Sequence, residues 1–169
     1  MTSVRVAASA RRGKGLCHGA VDAGVYAIAF HLMRREQLQV GRLGSFVFEP
    51  GLYVYVGSAQ RNLTARLRRH ARRRKRRHWH IDYLAAKARA LSAWTFNGPK
   101  SQECRIARVL ASRLSAPVRG FGCSDCRCHT HLFYLPLRAA TQRPDAALAR
   151  LPRLLPLAAN AKLPPWRRF

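Results

Sequence analysis

The stretch "GLYVYVGSAQRNLTARLRRH" (residues 51–70) joins two patterns that together decide the fold. Its first part is apolar and rich in tyrosine and valine, which is typical of a β-strand. Its second part begins at Asn62, a favourable N-cap residue, and places Leu63, Leu67 and Ala71 at helical spacing. We therefore predict a strand followed directly by a helix that ends near residue 74.

Similar patterns extend in both directions from this stretch. Further strands are predicted for "GVYAIAFHL" (24–32), "LQV" (38–40), "SFVF" (45–48), "SAWTF" (92–96) and "HLFYLPL" (131–137). A second helix is predicted in "WHIDYLAAKARAL" (79–91) and a third from Ser101 onward, while the Gly- and Cys-rich segment 119–130 is irregular. The predicted fold class is α+β, a small and mostly antiparallel sheet flanked by about three helices.

The charge of the chain points to a polyanionic partner. Lys+Arg 32 against Asp+Glu 7 gives a net charge of +25, whereas the hydrophobic fraction of 48% is that of an ordinary folded domain. Nucleic acid is the leading partner and an acidic membrane surface the second. Because no apolar run is long enough to span a bilayer and no secretory signal is visible, we expect a cytoplasmic protein, nucleoid-associated if bacterial.

Composition divides the chain into three parts. Residues 1–22 predict a disordered basic arm, although an organelle transit peptide has a similar composition. Residues 23–138 hold the predicted strands and helices and form one domain. Residues 139–169 are rich in Pro, Arg and Ala and predict a tail with a short helix around 145–155.

One set of residues recurs in an order that carries a resemblance. "GVY" ends in Tyr26, "YVG" begins with Tyr55, and the next helix places Arg66 and His70 on one face. Glu103 follows near the start of a later helix. This ordered set resembles the GIY-YIG nuclease superfamily, and "HWHIDYL" and "GFGCSDCRCHTHLFY" resemble its small-domain subfamily that is sometimes fused to endonuclease III. The resemblance spans residues 23–137.

The resemblance implies a role for each matching residue. Tyr26 would activate or orient the attacking water, and Tyr55 would shape the pocket. Arg66 would hold the phosphate, and His70 would form a hydrogen bond in the site or carry a proton. Glu103 would bind one Mg²⁺ or Mn²⁺ ion. Tyrosines on strands are also common core residues, and an acid in a first helical turn also compensates the helix dipole.

The chain departs from the family pattern in two places. Residues 27–54 separate the two tyrosines, which is longer than the hairpin usual in the superfamily and predicts an extra hairpin there. The asparagine that many relatives carry after the metal-binding glutamate has no counterpart close behind Glu103, since the next asparagine is Asn160.

These observations predict a metal-dependent endonuclease that acts on DNA in repair or processing. The alternative is an inactive nucleic-acid-binding module of the same fold, and an RNA- or ribosome-associated protein is a weaker third reading. We expect DNA as the partner with RNA left open, no membrane, no small-molecule cofactor, and a monomer. A cluster of cations behind Arg66 predicts the surface that follows the phosphate backbone: Arg68, Arg69, Arg72, Arg73, Arg74, Lys75, Arg76 and Arg77.

The cysteines suggest a second metal. Three of the five cysteines lie in "CSDCRCHTH" (123–131), and an odd count favours a reducing compartment. Cys126, Cys128 and His131 are candidate ligands of a structural Zn²⁺, with Cys104 or Cys123 as the fourth. The other reading of these cysteines is a set of reduced thiols without metal. His80 and Asp82, two residues apart near a helix start, predict helix capping or contact with the site.

Overall fold

The structure is a computed structural model that describes residues 22–137 and 144–155. Its strands are β1 (Gly24–Leu32), β2 (Glu36–Gln39), β3 (Ser45–Phe48), β4 (Gly51–Ala59), β5 (Arg89–Phe96) and β6 (Leu132–Leu135). Its helices are α1 (Leu63–Ala71), α2 (His80–Ala85), α3 (Ser101–Ala111) and α4 (Pro144–Arg150), and a 3-10 helix (Leu151–Leu154) follows α4.

The strands form one four-stranded sheet and one separate hairpin. The sheet has the order β5-β1-β4-β6, and each neighbouring pair is antiparallel. The hairpin consists of β2 and β3 and lies in the chain between Tyr26 and Tyr55. Both the α+β fold class and the extra hairpin are therefore confirmed.

The two central strands are apolar on both faces because helices cover both sides of the sheet. Tyr26, Ile28 and Phe30 alternate along β1 toward a core that α1 and α2 complete with their apolar residues. Val25 and Ala27, the intervening residues of β1, face a second core on the opposite side of the sheet. A strand buried on both faces needs an unbroken apolar sequence, which "GVYAIAFHL" provides.

The second core is closed by α3 and by residues that follow residue 138. Ile106 and Leu110 of α3 pack against this face together with Leu151 and Leu155. The packed region thus includes residues beyond the boundary predicted at 138. The short helix predicted around 145–155 is confirmed as α4 and the 3-10 helix. Of the predicted arm and tail, all but Asp22 and residues 144–155 lie outside the described residues.

The start of α1 corrects one prediction. Asn62 stands at the N-cap position, but its φ of 54° is left-handed and its side chain makes no capping hydrogen bond. Asp22 caps the helix instead: its Oδ1 accepts a hydrogen bond from Thr64 N at 2.9 Å, and its backbone O accepts one from Leu63 N at 2.9 Å. A cap from a residue so distant in sequence leaves no local signal.

The end of α1 corrects another. The helix stops at Ala71 rather than near residue 74, and Arg72 is extended. Lys75 turns back over the helix end, where its Nζ donates hydrogen bonds to the carbonyl oxygens of Arg69 at 3.0 Å and His70 at 2.8 Å. A cation that satisfies the last carbonyls favours an early end. Among the described residues, no helix has the length and apolar character needed to cross a membrane.

Candidate active site

The two tyrosines meet where β1 begins and β4 ends. Tyr26 pairs directly with Gly57 across the two strands. A Cβ atom at Gly57 would lie 2.5 Å from the Tyr26 hydroxyl oxygen and 2.6 Å from Cζ, so the ring lies over the glycine where no side chain can fit. The glycine of "YVG" therefore makes room for the tyrosine of "GVY", which explains why the two motifs occur together.

His70 of α1 completes an aromatic cluster with these tyrosines. The Tyr26 hydroxyl and His70 Nε2 are 2.9 Å apart and hydrogen bonded, and the two rings lie 5.7 Å apart. The Tyr55 ring lies 6.4 Å from that of Tyr26 and 6.0 Å from that of His70. The His70 side chain, expected on the helix face with Arg66, is buried and only 1% exposed.

Burial decides the protonation of this cluster at neutral pH. Burial raises the pKa of Tyr26 above its ordinary value of 10.0, and the Arg66 charge only partly offsets this effect. Burial also raises the pKa of Tyr55 and lowers the pKa of His70. The tyrosines are therefore neutral phenols and His70 is a neutral imidazole, so Tyr26 can donate its proton to His70 Nε2.

Asp82 is the fully buried charge behind His70. Its Oδ1 lies 3.7 Å from His70 Nδ1 and 3.1 Å from Lys75 Nζ, and Arg69 Nη1 donates to both carboxylate oxygens at 3.0 Å. The backbone N–H groups of His78 and Trp79 donate to Oδ2 at 2.9 and 3.0 Å. This carboxylate is already fully engaged, and it links α1 to α2.

These neighbours control the charge of Asp82. Burial alone would raise the pKa of this carboxyl, but His70, the backbone N–H groups of Trp79 and His78, and the Lys75 ammonium outweigh it. They hold the pKa of Asp82 far below its usual range, so the group is a carboxylate at neutral pH. The predicted capping role is confirmed by its bond to the N-cap Trp79, and its contact with His70 places it next to the site.

Arg66 lies half-buried beside the tyrosines. Its Nη1 donates a hydrogen bond to the Ser58 carbonyl oxygen at 2.9 Å, and its guanidinium lies 5.1 Å from the centre of the Trp79 ring. The charge of Arg66 lowers the pKa values of Tyr26 and Tyr55 relative to burial alone. The positive charge of Arg66 therefore acts on both tyrosines.

Glu103 approaches the same end of the sheet from α3. Its carboxylate is buried, and its charge contributes to the raised pKa values of both tyrosines. Glu103 Oε1 lies 2.7 Å from His131 Nδ1, although the angle between them falls outside hydrogen-bond geometry. An open pocket adjoins Glu103 and is lined by Lys100, Ser101, Glu103, Cys104, Asp125, Cys126 and His131.

Three thiols and one imidazole form a cluster in this pocket. The ligand atoms of Cys104, Cys126, Cys128 and His131 all lie within 4.8 Å of one another, so the cluster could hold a metal ion. Cys123 is not among these four residues, although it lies beside them: its Sγ donates a hydrogen bond to the Phe121 carbonyl oxygen at 3.5 Å, and burial and the neighbouring Cys126 thiol raise its pKa. Of the two fourth ligands left open by the sequence, the structure brings Cys104 to the cluster and leaves Cys123 outside it.

Contacts with α2 and with the start of α3 help to hold the cysteine-rich loop against the rest of the domain. The backbone N–H of Gly122 donates a hydrogen bond to His80 Nδ1 at 3.0 Å, and Lys100 forms an ion pair with Asp125. A Cβ atom at Gly122 would lie 2.9 Å from Tyr55 Cε2, so this loop forms one wall of the tyrosine cluster. His80 is the first residue of α2, whose cap is formed by Trp79 and Asp82, and its ring contacts the loop.

The predicted phosphate-binding cations divide into a pair that packs inside the domain and a larger exposed group that includes Arg77. Arg69 stacks on the Trp79 ring at 4.4 Å and binds Asp82, and Lys75 is buried against Asp82, so both stabilise the fold from inside. The Arg77 guanidinium lies 5.1 Å from the Tyr83 ring centre. The remaining predicted residues are all exposed: Arg68, Arg72, Arg73, Arg74 and Arg76.

Comparison with known proteins identifies the family of the domain. The family model described as "Domain of unknown function DUF123" matches residues 25–151. No curated protein and no solved structure matches the chain. The matched segment begins at the second residue of β1 and ends at the first residue of the 3-10 helix, so it covers α1 to α4 and all of the strands but Gly24.

Proposed function

The chain belongs to the family described as Domain of unknown function DUF123, and from that premise we propose that it is a metal-dependent endonuclease of the GIY-YIG type. Its reaction is the hydrolysis of phosphodiester bonds in DNA, in repair or processing. The proposal rests on the resemblance of its motifs and on the contacts of the residues that carry them.

One observation carries the proposal. Tyr26 from β1, Tyr55 from β4 and His70 from α1 are far apart in sequence, yet they form one buried cluster with a 2.9 Å hydrogen bond between Tyr26 and His70. A hydrophobic core needs neither the hydroxyl nor the imidazole at this position, and a buried polar pair costs desolvation energy that apolar residues avoid. Such a pair is favoured where its proton is used.

The proton route follows from the protonation states. The neutral Tyr26 hydroxyl donates to Nε2 of neutral His70, so its oxygen lone pairs can accept a proton from an attacking water while its own proton moves to His70. Asp82, 3.7 Å from His70 Nδ1, stabilises the imidazolium that results. The Arg66 guanidinium beside the tyrosines would hold the phosphate and the charge that develops on it.

The donor chemistry of Glu103 fits a hard divalent cation. Its Oε1 faces His131, which leaves the second carboxylate oxygen as the donor, and Mg²⁺ is commonly bound through one or two carboxylates with water. Asp82 cannot serve, because both of its oxygens already accept hydrogen bonds. Bound Mg²⁺ or Mn²⁺ would polarise the scissile phosphate. The adjoining thiol cluster suits a different ion, Zn²⁺.

DNA is the proposed partner because of charge and its placement. The exposed arginines at 72–74 follow α1 directly, and α1 is the helix that carries Arg66. A strand bound along these arginines would reach the tyrosine cluster through contacts to its phosphates. The inactive binding module is the second candidate, and the missing asparagine after Glu103 is the observation that favours it.

The test is cleavage by the purified full chain on branched, flapped, nicked and single-stranded DNA and on matched RNA. We expect cuts in DNA with Mg²⁺ or Mn²⁺ and none with EDTA. Glu103→Ala should abolish cleavage but keep DNA binding within about threefold, because the exposed arginines lie elsewhere. Asp125→Ala, which removes another carboxylate of the same pocket, is the control and should still cleave. DNA binding without cleavage under any of these conditions would favour the inactive module.

A further inference from the structure

We propose that Cys104, Cys126, Cys128 and His131 bind one structural Zn²⁺ ion, and that Glu103 orients the histidine of this site. The metal site goes beyond the nuclease activity and does not depend on it. It joins α3, which supplies Cys104, to the loop 119–131, which supplies the other three ligands.

The distances within the cluster match one tetrahedral ion. Zinc lies about 2.3 Å from a thiolate sulfur and about 2.0–2.1 Å from an imidazole nitrogen, so two such ligands at the tetrahedral angle are about 3.6 Å apart. Cys126 Sγ and His131 Nε2 are 3.5 Å apart. All four ligand atoms lie within 4.8 Å of one another, and the thiols are free and not joined in disulfides. Small inward shifts of the outer thiols would complete the tetrahedron.

His131 is oriented as a metal ligand requires. Its Nε2 faces Cys126 and the centre of the cluster, and its Nδ1 lies 2.7 Å from Glu103 Oε1. A metal-bound histidine commonly gives its other N–H to a carboxylate, which fixes the tautomer and the ring. In the structure the two groups are close but not aligned as a hydrogen bond. A small rotation of the carboxylate would let it accept the Nδ1 proton, which would leave the Nε2 lone pair for the ion. The side chain of His131 is buried, with 1% of it exposed, so few other ring positions are open.

The ligand set selects zinc and a structural role. Three thiolates and one imidazole are soft donors for which Zn²⁺ is well suited, and iron–sulfur clusters generally need four cysteines. Four protein ligands leave no open position for a reactant, which is the pattern of structural zinc. We therefore assign the ion no part in the hydrolysis.

The consequence of the site is mechanical. Cys104 follows Glu103 directly, and Gly122 of the bound loop touches the Tyr55 ring. An ion that ties this loop to α3 thus holds Glu103 against His131 and the loop against Tyr55. The Lys100–Asp125 ion pair makes a weaker connection between the same two segments, because both side chains are 55% exposed.

The first test is the metal content of the full chain purified without chelators. We expect about one zinc per chain in the wild type, and less than about 0.2 would overturn the proposal. Cys104→Ser and Cys128→Ser should lower the content severely, whereas the matched control Cys123→Ser should keep it. If the ligand variants do not fold, the wild-type content and the Cys123→Ser result still decide, because loss of zinc in Cys123→Ser also contradicts the proposed ligand set.

A second test addresses Glu103 without measuring cleavage. Competition with a chromogenic chelator gives the zinc affinity of Glu103→Gln and of Asp125→Asn, a carboxylate of the same pocket that does not touch His131. We expect Glu103→Gln to bind zinc about 10- to 100-fold more weakly, as is typical when the carboxylate partner of a ligating histidine is lost. Asp125→Asn should match the wild type. Equal affinities in the two variants would contradict the role of Glu103, whatever the nuclease assay shows.

Discussion

The ring and the hydroxyl of Tyr26 can be tested separately. The ring packs in the core over Gly57, whereas the hydroxyl forms the hydrogen bond with His70. Tyr26→Phe keeps the ring and deletes the hydroxyl. We expect the cleavage rate to fall about 10²- to 10⁴-fold, the range for loss of a general acid–base group. The free energy of unfolding should fall by about 1–3 kcal/mol, because His70 Nε2 is left buried without its partner.

The control for this substitution is Tyr53→Phe. The Tyr53 hydroxyl, on the same face of the same sheet, donates a hydrogen bond to the Glu49 carbonyl oxygen at 2.8 Å. Its loss should lower stability by a comparable or smaller amount and leave the cleavage rate unchanged. If Tyr26→Phe cleaves as fast as Tyr53→Phe, Tyr26 is a core residue only.

Asp82 tests the buried network behind the site. Asp82→Asn leaves Arg69 and Lys75 without their counter-charge, so we expect a loss of about 3–5 kcal/mol of unfolding free energy at pH 7, measured by urea denaturation. Glu49→Gln is the control, because its ion pair with Arg35 is largely exposed and should contribute at most about 1 kcal/mol. Equal losses in both variants would show that the network is not stabilising.

The free energy of unfolding of the wild type and of Asp82→Asn should depend on pH in a direction that the pKa shifts define. The folded protein holds the pKa of Asp82 below its ordinary value of 3.8, so this stabilisation is present above pH 3.8 and is lost as the pH falls further. The gap between wild type and Asp82→Asn should therefore narrow below pH 3.8. Because burial lowers the pKa of His70 below 6.5, unfolding takes up a proton there, and both proteins should lose stability as the pH drops below 6.5.

At the scale of single elements, the sequence predicted strands better than helix ends. Each strand of the four-stranded sheet is predicted from its apolar and aromatic residues. The helix predicted over 79–91 is wrong after residue 85, because α2 ends at Ala85 and β5 already begins at Arg89. The ends of α1 are not predicted either, because Asp22 caps its start and Lys75 its end through contacts that are made only after folding. The sequence of α1 alone therefore suggests a helix that continues into the arginines.

The exposed arginines after α1 are predicted to bind DNA phosphates, which the salt dependence of DNA affinity can test. Arg73→Ala with Arg74→Ala removes two exposed cations, and each lost phosphate contact should reduce the slope of log K against log salt by about 0.9. The control is Arg105→Ala with Arg150→Ala, an equal loss of charge from exposed positions on α3 and α4, which cover the other face of the sheet. Equal changes in both double variants would mean that net charge, and not this surface, binds DNA.

At the scale of the whole molecule, the sequence predicts part of the candidate site. The five residues predicted as catalytic come from four elements, and the structure joins three of them, Tyr26, Tyr55 and His70, in one aromatic cluster. The sequence predicts capping or site contact for Asp82 but not its ion pairs with Arg69 and Lys75. The space that Gly57 leaves for the Tyr26 ring is not predicted either, because both features exist only between elements. The choice of Cys104 over Cys123 likewise depends on where α3 meets the loop.

The central proposal is that this protein hydrolyses DNA, and substitution of Arg66 tests it most directly. Arg66 faces the tyrosine cluster, whereas Arg68 lies exposed on the same helix and carries the same charge. The measurement is the single-turnover rate of DNA cleavage with Mg²⁺ or Mn²⁺ and saturating protein. The account predicts cleavage by the wild type, a rate about 10²- to 10³-fold lower in Arg66→Ala, as for loss of one transition-state donor, and a nearly unchanged rate in Arg68→Ala. A wild type that cuts nothing, or an Arg66→Ala variant as fast as Arg68→Ala, would contradict it.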